Sequence, residues 1–167
     1  MLWKDVIAWP IRPATKESRP DILVFSTPPL ERDLEVTGFV TLNLFASTSA
    51  KDTDFTALIS DVDPSGYSRL LTDGIVRARY RNGTDRVEEI VPGEVYKYTI
   101  DLWATSNVFK AGHRIRLYIS SSNFPRFNRN PNTGEAMLGS TRFVSARQTI
   151  YHDSKYRSSL VLPVIPK

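Results

Sequence analysis

The sequence contains no cysteine and only two histidines among its 167 residues. The missing cysteines exclude disulfide frameworks, zinc–thiolate sites, iron–sulfur clusters and thiol catalysis. The histidines, His113 and His152, are a small supply of the groups that act as general bases at neutral pH. The composition therefore points away from a self-contained enzyme.

Long hydrophobic runs are also missing. No apolar stretch approaches the roughly 20 residues that cross a bilayer, and the N-terminus reaches the acidic Asp5 without the apolar core of a secretory signal. The 22 basic residues exceed the 18 acidic ones by only four, which gives no strong claim on nucleic acid. We expect one domain over residues 1–167, in the cytoplasm, with neither membrane nor nucleic acid as a partner.

Helical periodicity is hard to find, whereas apolar and polar residues repeatedly alternate with a period of two, as in half-buried strands. The alternating segments are 34–46, 75–81, 94–102, 114–120 and 160–164. Turn signals separate them, and Asn82-Gly83 has the composition of a tight hairpin turn. The pattern predicts an all-β fold, a sandwich of two antiparallel sheets or a jelly roll.

Four details of these strands are open to test. Residues 21–27 form a more continuous apolar run, which predicts a strand buried on both faces. Gly38 marks a candidate bulge in the second strand. Pro163 predicts that the last strand lies at a sheet edge. Trp103 continues the 94–102 strand and is expected in the core.

Nucleophilic catalysis by serine is the first candidate chemistry. The residues around Ser68 match a nucleophile elbow only in part, because the second glycine of Gly-x-Ser-x-Gly is missing. The serines at 120–122 follow His113, but a strand between them carries them out of its easy reach. Hydroxyls on a sheet face are therefore the favoured interpretation.

Charged clusters are the second candidate. Asp52 and Asp54, with Asp61 and Asp63, would suit calcium, but they lack the glycine and glutamate of an EF-hand loop. The alternative is that Asp52 and Asp54 cap a loop and pair with an arginine. Arg77, Arg79 and Arg81 are expected on one strand face, where Glu88 and Glu89 of a return strand neutralise them.

Residues 123–142, rich in asparagine and proline, predict one long ordered loop. Loops of this length in compact domains tend to be functional or to cover something. Asparagine side chains can close turns on the backbone and so supply internal hydrogen bonds. We expect Asp52 or Asp54 to pair with Arg126 or Arg129 and so to hold this loop on the sheet.

Several segments, in this order, resemble a known family. They are residues 19–25, 35–38, 50–55, 61–62, 71–81, 92–94, 109–117 and 120–134. Together they are similar to the C-terminal domain of X-prolyl dipeptidyl-peptidases and of cocaine-esterase (CocE/NonD)-type serine hydrolases. The resemblance covers about residues 19–167. It implies a jelly-roll β-sandwich similar to galactose-binding domains.

The resemblance also implies a function for the domain. In such proteins a Ser-Asp-His triad lies on an upstream α/β-hydrolase domain, so no catalytic residue, cofactor or metal ligand is expected here. The domain packs on that catalytic domain and helps to shape its active site, or, as an alternative, stands alone as a carbohydrate- or peptide-binding module. The residues expected at the docking surface are Asp52, Asp54, Phe124, Arg126, Phe127, Arg129, Asn130 and Asn132.

An isolated domain of this kind leaves its docking surface uncovered. Exposed apolar patches promote association between copies. We therefore expect self-association of the isolated chain through Phe124, Phe127 and Phe109.

Overall fold

The computed structural model describes residues 19–135 and 140–166, so residues 136–139 of the predicted loop lie outside the described residues. The strands are β1 (Leu23–Ser26), β2 (Leu34–Thr48), β3 (Asp54–Val62), β4 (Ser68–Arg77), β5 (Tyr96–Phe109), β6 (Arg114–Ser120), β7 (Gln148–Tyr151) and β8 (Ser159–Val161). One 3₁₀ turn, Ala78–Tyr80, follows β4. No helix within the described ranges is long and apolar enough to cross a membrane.

The strands form two antiparallel sheets, which confirms the predicted β-sandwich. Sheet A has the order β1-β6-β3-β4, and sheet B has the order β5-β2-β7 with β8 also paired to β2. β2 and β5 share the longest ladder, from Leu34 opposite Phe109 to Ala46 opposite Tyr96. Pro163 follows the short β8, which lies at an edge as predicted.

The core lies between the sheets and is built from the apolar positions of the alternating strands. Phe55 of sheet A contacts Tyr98 of sheet B, with ring centroids 4.7 Å apart. Burial of such large side chains supplies most of the driving force for folding. The buried residues of β2, β5 and β6 are Val36, Val40, Leu42, Leu44, Ala46, Tyr98, Ile100, Leu102, Phe109, Ile115, Leu117 and Ile119.

The bulge between β2 and β5 is not at Gly38. Gly38 pairs regularly with Thr105, and the register shifts beyond Phe39, where β5 has one extra residue. That residue is Trp103, at a φ of 64°, and it is 63% exposed instead of lying in the core. Glycine at position 38 instead makes room for Pro163, because a Cβ on Gly38 would lie 3.1 Å from the proline ring.

The arginine segment also differs from the prediction. β4 ends at Arg77, so Arg79 and Arg81 belong to the 3₁₀ turn and the residue after it, not to a strand face. Asn82-Gly83 does not join two strands, since Gly83 donates its N–H to the Tyr80 carbonyl in a local turn. The predicted tight hairpin and its return strand are therefore wrong.

β1 is not buried on both faces as predicted. It is the edge strand of sheet A, paired only with β6 among the described strands. An edge position leaves Leu23 exposed and Phe25 half-buried, whereas Val24 is covered.

Candidate functional site

The end of the sandwich between β3 and β4 is held by a buried charged network. The Arg77 guanidinium donates to both oxygens of Asp54, at 2.8 and 3.1 Å. Arg79 donates to Asp52 from its backbone N–H at 3.1 Å and from Nε at 2.7 Å. Both aspartates are 1% exposed. The bond to Asp54 raises the pKa of Arg77 above its usual value.

Asn130 ties the long loop to this network. Its amide donates to Asp52 Oδ2 at 2.9 Å and to Asp54 Oδ1 at 2.8 Å. Its own oxygen accepts the backbone N–H of Asn132 at 2.9 Å, so the side chain also closes a turn of the loop. We call these five residues, Asp52, Asp54, Arg77, Arg79 and Asn130, the buried network.

The predicted pairing of the aspartates was right in kind and wrong in partner. Asp52 and Asp54 do pair with arginines, but with Arg79 and Arg77 instead of Arg126 or Arg129. All four carboxylate oxygens accept N–H bonds, so they are committed to cationic and amide donors. Among the described residues there is no cluster of three or more acidic or histidine side chains that would hold a metal ion.

Arg126 is instead anchored to Asp73, a residue that the sequence pattern did not single out. The Arg126 Nε lies 2.6 Å from Asp73 Oδ2, and the Asn123 amide donates to the same oxygen at 3.0 Å. Asp73 is buried, on the outward row of sheet A that also holds Leu58 and Tyr118. The sequence feature that could have indicated this role is that Asp73 is the one charged residue in the apolar stretch 70–76.

The remaining docking candidates have different exposures. Phe124, between the two anchors on Asp73, is 65% exposed. Phe127 is half-buried with the Arg126 guanidinium over its ring, and Arg129 lies 4.7 Å from the Phe143 ring centroid. Phe109 is only 1% exposed, so it belongs to the core and not to the expected surface patch.

A cleft of about 500 Å³ adjoins the buried network. The chain enters the described domain along its border, through Pro20, Asp21 and Leu23. Arg129, Asn130 and Asn132 line it, together with the serines at 120–122. Three of the predicted docking residues therefore line the same cleft as the first described segment of the chain, residues 20–23.

The catalytic candidates do not assemble. His113 Nδ1 lies 2.8 Å from Asp61 Oδ1, and Asp61 also binds Arg69. The Ser68 hydroxyl is hydrogen-bonded to Ser60 at 2.7 Å and to Tyr118 at 3.0 Å, instead of to the histidine. A nucleophile within reach of a base is the minimum requirement of such a site. The hydroxyls lie on a sheet face, as the favoured interpretation predicted.

Comparisons with known proteins agree with this geometry. The chain is 46% identical over 151 residues to the cocaine esterase of Rhodococcus sp. (strain MB1 Bresler), covering 89% of the chain and 26% of the esterase. The structure superposes on an aminopeptidase from a marine sediment archaeon, Thaumarchaeota archaeon (TM-score 0.84, 34% identity, 90% of this chain and 27% of that one). It also superposes on an α-amino acid ester hydrolase (TM-score 0.82, 30% identity, 89% and 26%).

The chain thus spans about a quarter of the length of each of these relatives. The family model of the X-Pro dipeptidyl-peptidase C-terminal non-catalytic domain matches residues 2–161. The chain belongs to this family of non-catalytic β-sandwich domains of X-Pro dipeptidyl-peptidase and CocE-type hydrolases.

Proposed function

We propose that this domain serves a serine hydrolase that cleaves ester, amide or X-Pro peptide bonds, by packing on the catalytic domain and helping to shape the mouth of its active site. Two findings together carry the proposal: the chain matches one quarter of several hydrolases, and within the described residues Ser68 is not hydrogen-bonded to the His113–Asp61 pair, so these three form no triad. The alternative of a stand-alone binding module has no comparable support.

The buried network gives such a domain a physical means of influencing its partner. Charged groups buried at 1% exposure fix the positions of their partners, because any rearrangement would leave a charge unpaired. Asn130 transmits this rigidity to the loop that carries Arg129 and Asn132. A rigid loop can hold contact residues in one geometry, which shaping a neighbouring pocket requires.

A joined protein tests the proposal. The chain would replace the matching quarter of the Rhodococcus cocaine esterase, and turnover of p-nitrophenyl acetate would be compared with that of the same protein lacking this quarter. We expect the joined protein to be the more active and the more heat-stable of the two, because the domain covers and supports the catalytic part.

The isolated chain is the control. We expect no turnover of p-nitrophenyl esters or of a Gly-Pro anilide, because the Ser68 hydroxyl is hydrogen-bonded to Ser60 and Tyr118 and not to His113. Turnover by the isolated chain that Ser68→Ala or His113→Ala abolishes would refute the proposal. A joined protein no more active than the truncated esterase would refute it equally.

A further inference from the structure

A groove of about 360 Å³, lined by large apolar side chains and by hydroxyl groups, runs along the outer face of sheet A. We call it the outer groove and define it by Arg19, Ile22, Leu58, Leu70, Tyr118 and Phe124. Leu58 faces Tyr118 across the β3–β6 ladder and forms its half-buried floor. Leu70 and Phe124 are 57% and 65% exposed. Large apolar side chains grouped on a surface mark an interaction site more often than isolated ones do.

Three hydroxyls of the outer groove already have partners. The Ser68 hydroxyl is hydrogen-bonded to that of Ser60 at 2.7 Å and to that of Tyr118 at 3.0 Å. Covering a hydroxyl costs free energy mainly when it loses its hydrogen bond to water without a replacement. These hydroxyls keep their bonds when a partner covers them, so the groove can be buried at little cost.

The backbone that carries Phe124 is anchored at the rim. Asn123, directly before it, and Arg126, two residues after it, both bind the buried carboxylate of Asp73. A large ring on an anchored backbone segment loses less conformational entropy when a partner contacts it than one on a free loop. Such rings are typical anchors of protein interfaces.

The rim of the outer groove is neutral. Arg19 forms a two-bond pair with Asp21, at 3.0 and 2.6 Å, and Arg126 is paired with Asp73. Among the described residues that line it, the groove therefore carries no unpaired charge that would favour an anionic or cationic partner. It fits a mainly apolar, uncharged protein surface.

The path of the chain points to the occupant, because the segment 19–23 lines both the cleft beside the buried network and the outer groove. Residues 1–18 join the described domain at Arg19, which lines the outer groove together with Ile22. The family is a C-terminal domain, and the other three quarters of its relatives must therefore connect through this same segment. We propose that the outer groove receives the catalytic domain that precedes it in the same polypeptide, an inference that rests on the proposed function.

Cysteine labelling tests this assignment directly, since the chain has no cysteine of its own. Leu70→Cys and Phe124→Cys place a thiol in the groove, and Phe39→Cys is the matched control at a side chain 72% exposed on sheet B. Maleimide labelling of each site would be followed by peptide mass spectrometry in the isolated chain and in the joined protein described above.

We expect labelling at positions 70 and 124 to slow about tenfold or more on joining, because a docked surface must open before the thiol reacts. Labelling at position 39 should stay unchanged. Melting curves of the isolated variants verify their fold, and two groove positions keep the test independent of either one.

The two proposals fail in different ways. Unchanged labelling at positions 70 and 124 in an active joined protein, or equal slowing at position 39, overturns the outer groove as the docking surface while leaving the proposed function intact. A joined protein without the gain in turnover refutes the proposed function itself.

Discussion

Gly74 of β4 lies against the backbone carbonyl of Asp101 in β5, so closely that a Cβ on Gly74 would be 2.1 Å from that oxygen. β4 and β5 are edge strands of different sheets. Beside this contact the Thr72 hydroxyl donates a hydrogen bond to the Leu102 carbonyl. The missing side chain at position 74 therefore lets the two sheets meet and close one side of the sandwich.

Gly74→Ala should lower the free energy of unfolding by about 3 kcal/mol or more, because a rigid backbone must move to admit the methyl group. Gly93→Ala is the control: its Cβ would meet open space, and only the φ of 88° costs about 1–2 kcal/mol. Guanidinium unfolding measures both. Equal losses for the two variants would show that the Gly74 contact is not tight.

The buried network predicts a contrast between two aspartates. Asp54→Ala should cost about 3–5 kcal/mol of stability, because it leaves the Arg77 charge without its carboxylate in a largely buried site. Asp21→Ala breaks an exposed pair with Arg19 and should leave the free energy of unfolding almost unchanged, because solvent screens such a pair. Urea unfolding of the chain separates them.

The same Asp54→Ala substitution in the joined protein should lower both its melting temperature and its esterase turnover, because the loop bound by Asn130 loses one of its two anchors. Unchanged stability and turnover would show that the buried network does not contribute to docking on the catalytic domain.

The alternating strands were predictable because each has one face on the core. Tyr98, Ile100 and Leu102 are all buried, with exposed residues between them, as the pattern of β5 requires. β3 was missed for the opposite reason. It is central in sheet A and almost wholly buried, including Asp54, so polar residues interrupt its apolar pattern without marking a solvent face.

The partners of charged residues were not predictable, because they depend on which distant segments the fold brings together. Arg126 pairs with Asp73, which lies 53 positions earlier in the sequence, and not with Asp52 or Asp54 as predicted. The exposure of Trp103 likewise depends on a bulge set by the pairing of β2 with β5. The local amino-acid composition around Arg126 and Trp103 therefore predicts neither the ion pair nor the exposure.

Tyr98 predicts a loss of stability at high pH. Burial raises its pKa to about 12, above the ordinary value of 10. Between these values the unfolded chain releases the tyrosine proton while the folded chain keeps it, so the free energy of unfolding falls as pH rises, by about 1–2 kcal/mol between pH 8 and pH 11.5. Its hydroxyl also has no hydrogen-bond partner among the described residues.

Tyr98→Phe should remove this fall and leave stability near neutral pH unchanged or slightly higher, since it deletes a buried unpaired hydroxyl. Chemical unfolding at pH 8 and pH 11.5 measures the difference, with Tyr67→Phe as the exposed control. If the wild type and Tyr98→Phe lose equal stability between these pH values, the folded-state titration of Tyr98 is not perturbed.

Without its catalytic domain the chain should associate with itself through the uncovered outer groove. Leu70 and Phe124 expose much of their surface there, and burying one such side chain yields about 1.5–3 kcal/mol. Sedimentation velocity at rising concentration should therefore show dimers or larger species for the wild-type chain.

Leu70→Ser and Phe124→Ser should each weaken the association about tenfold or more, whereas Phe39→Ser on sheet B should not. A strictly monomeric wild type, or an equal effect of Phe39→Ser, would contradict this prediction, because the free energy of association would then not come from the groove.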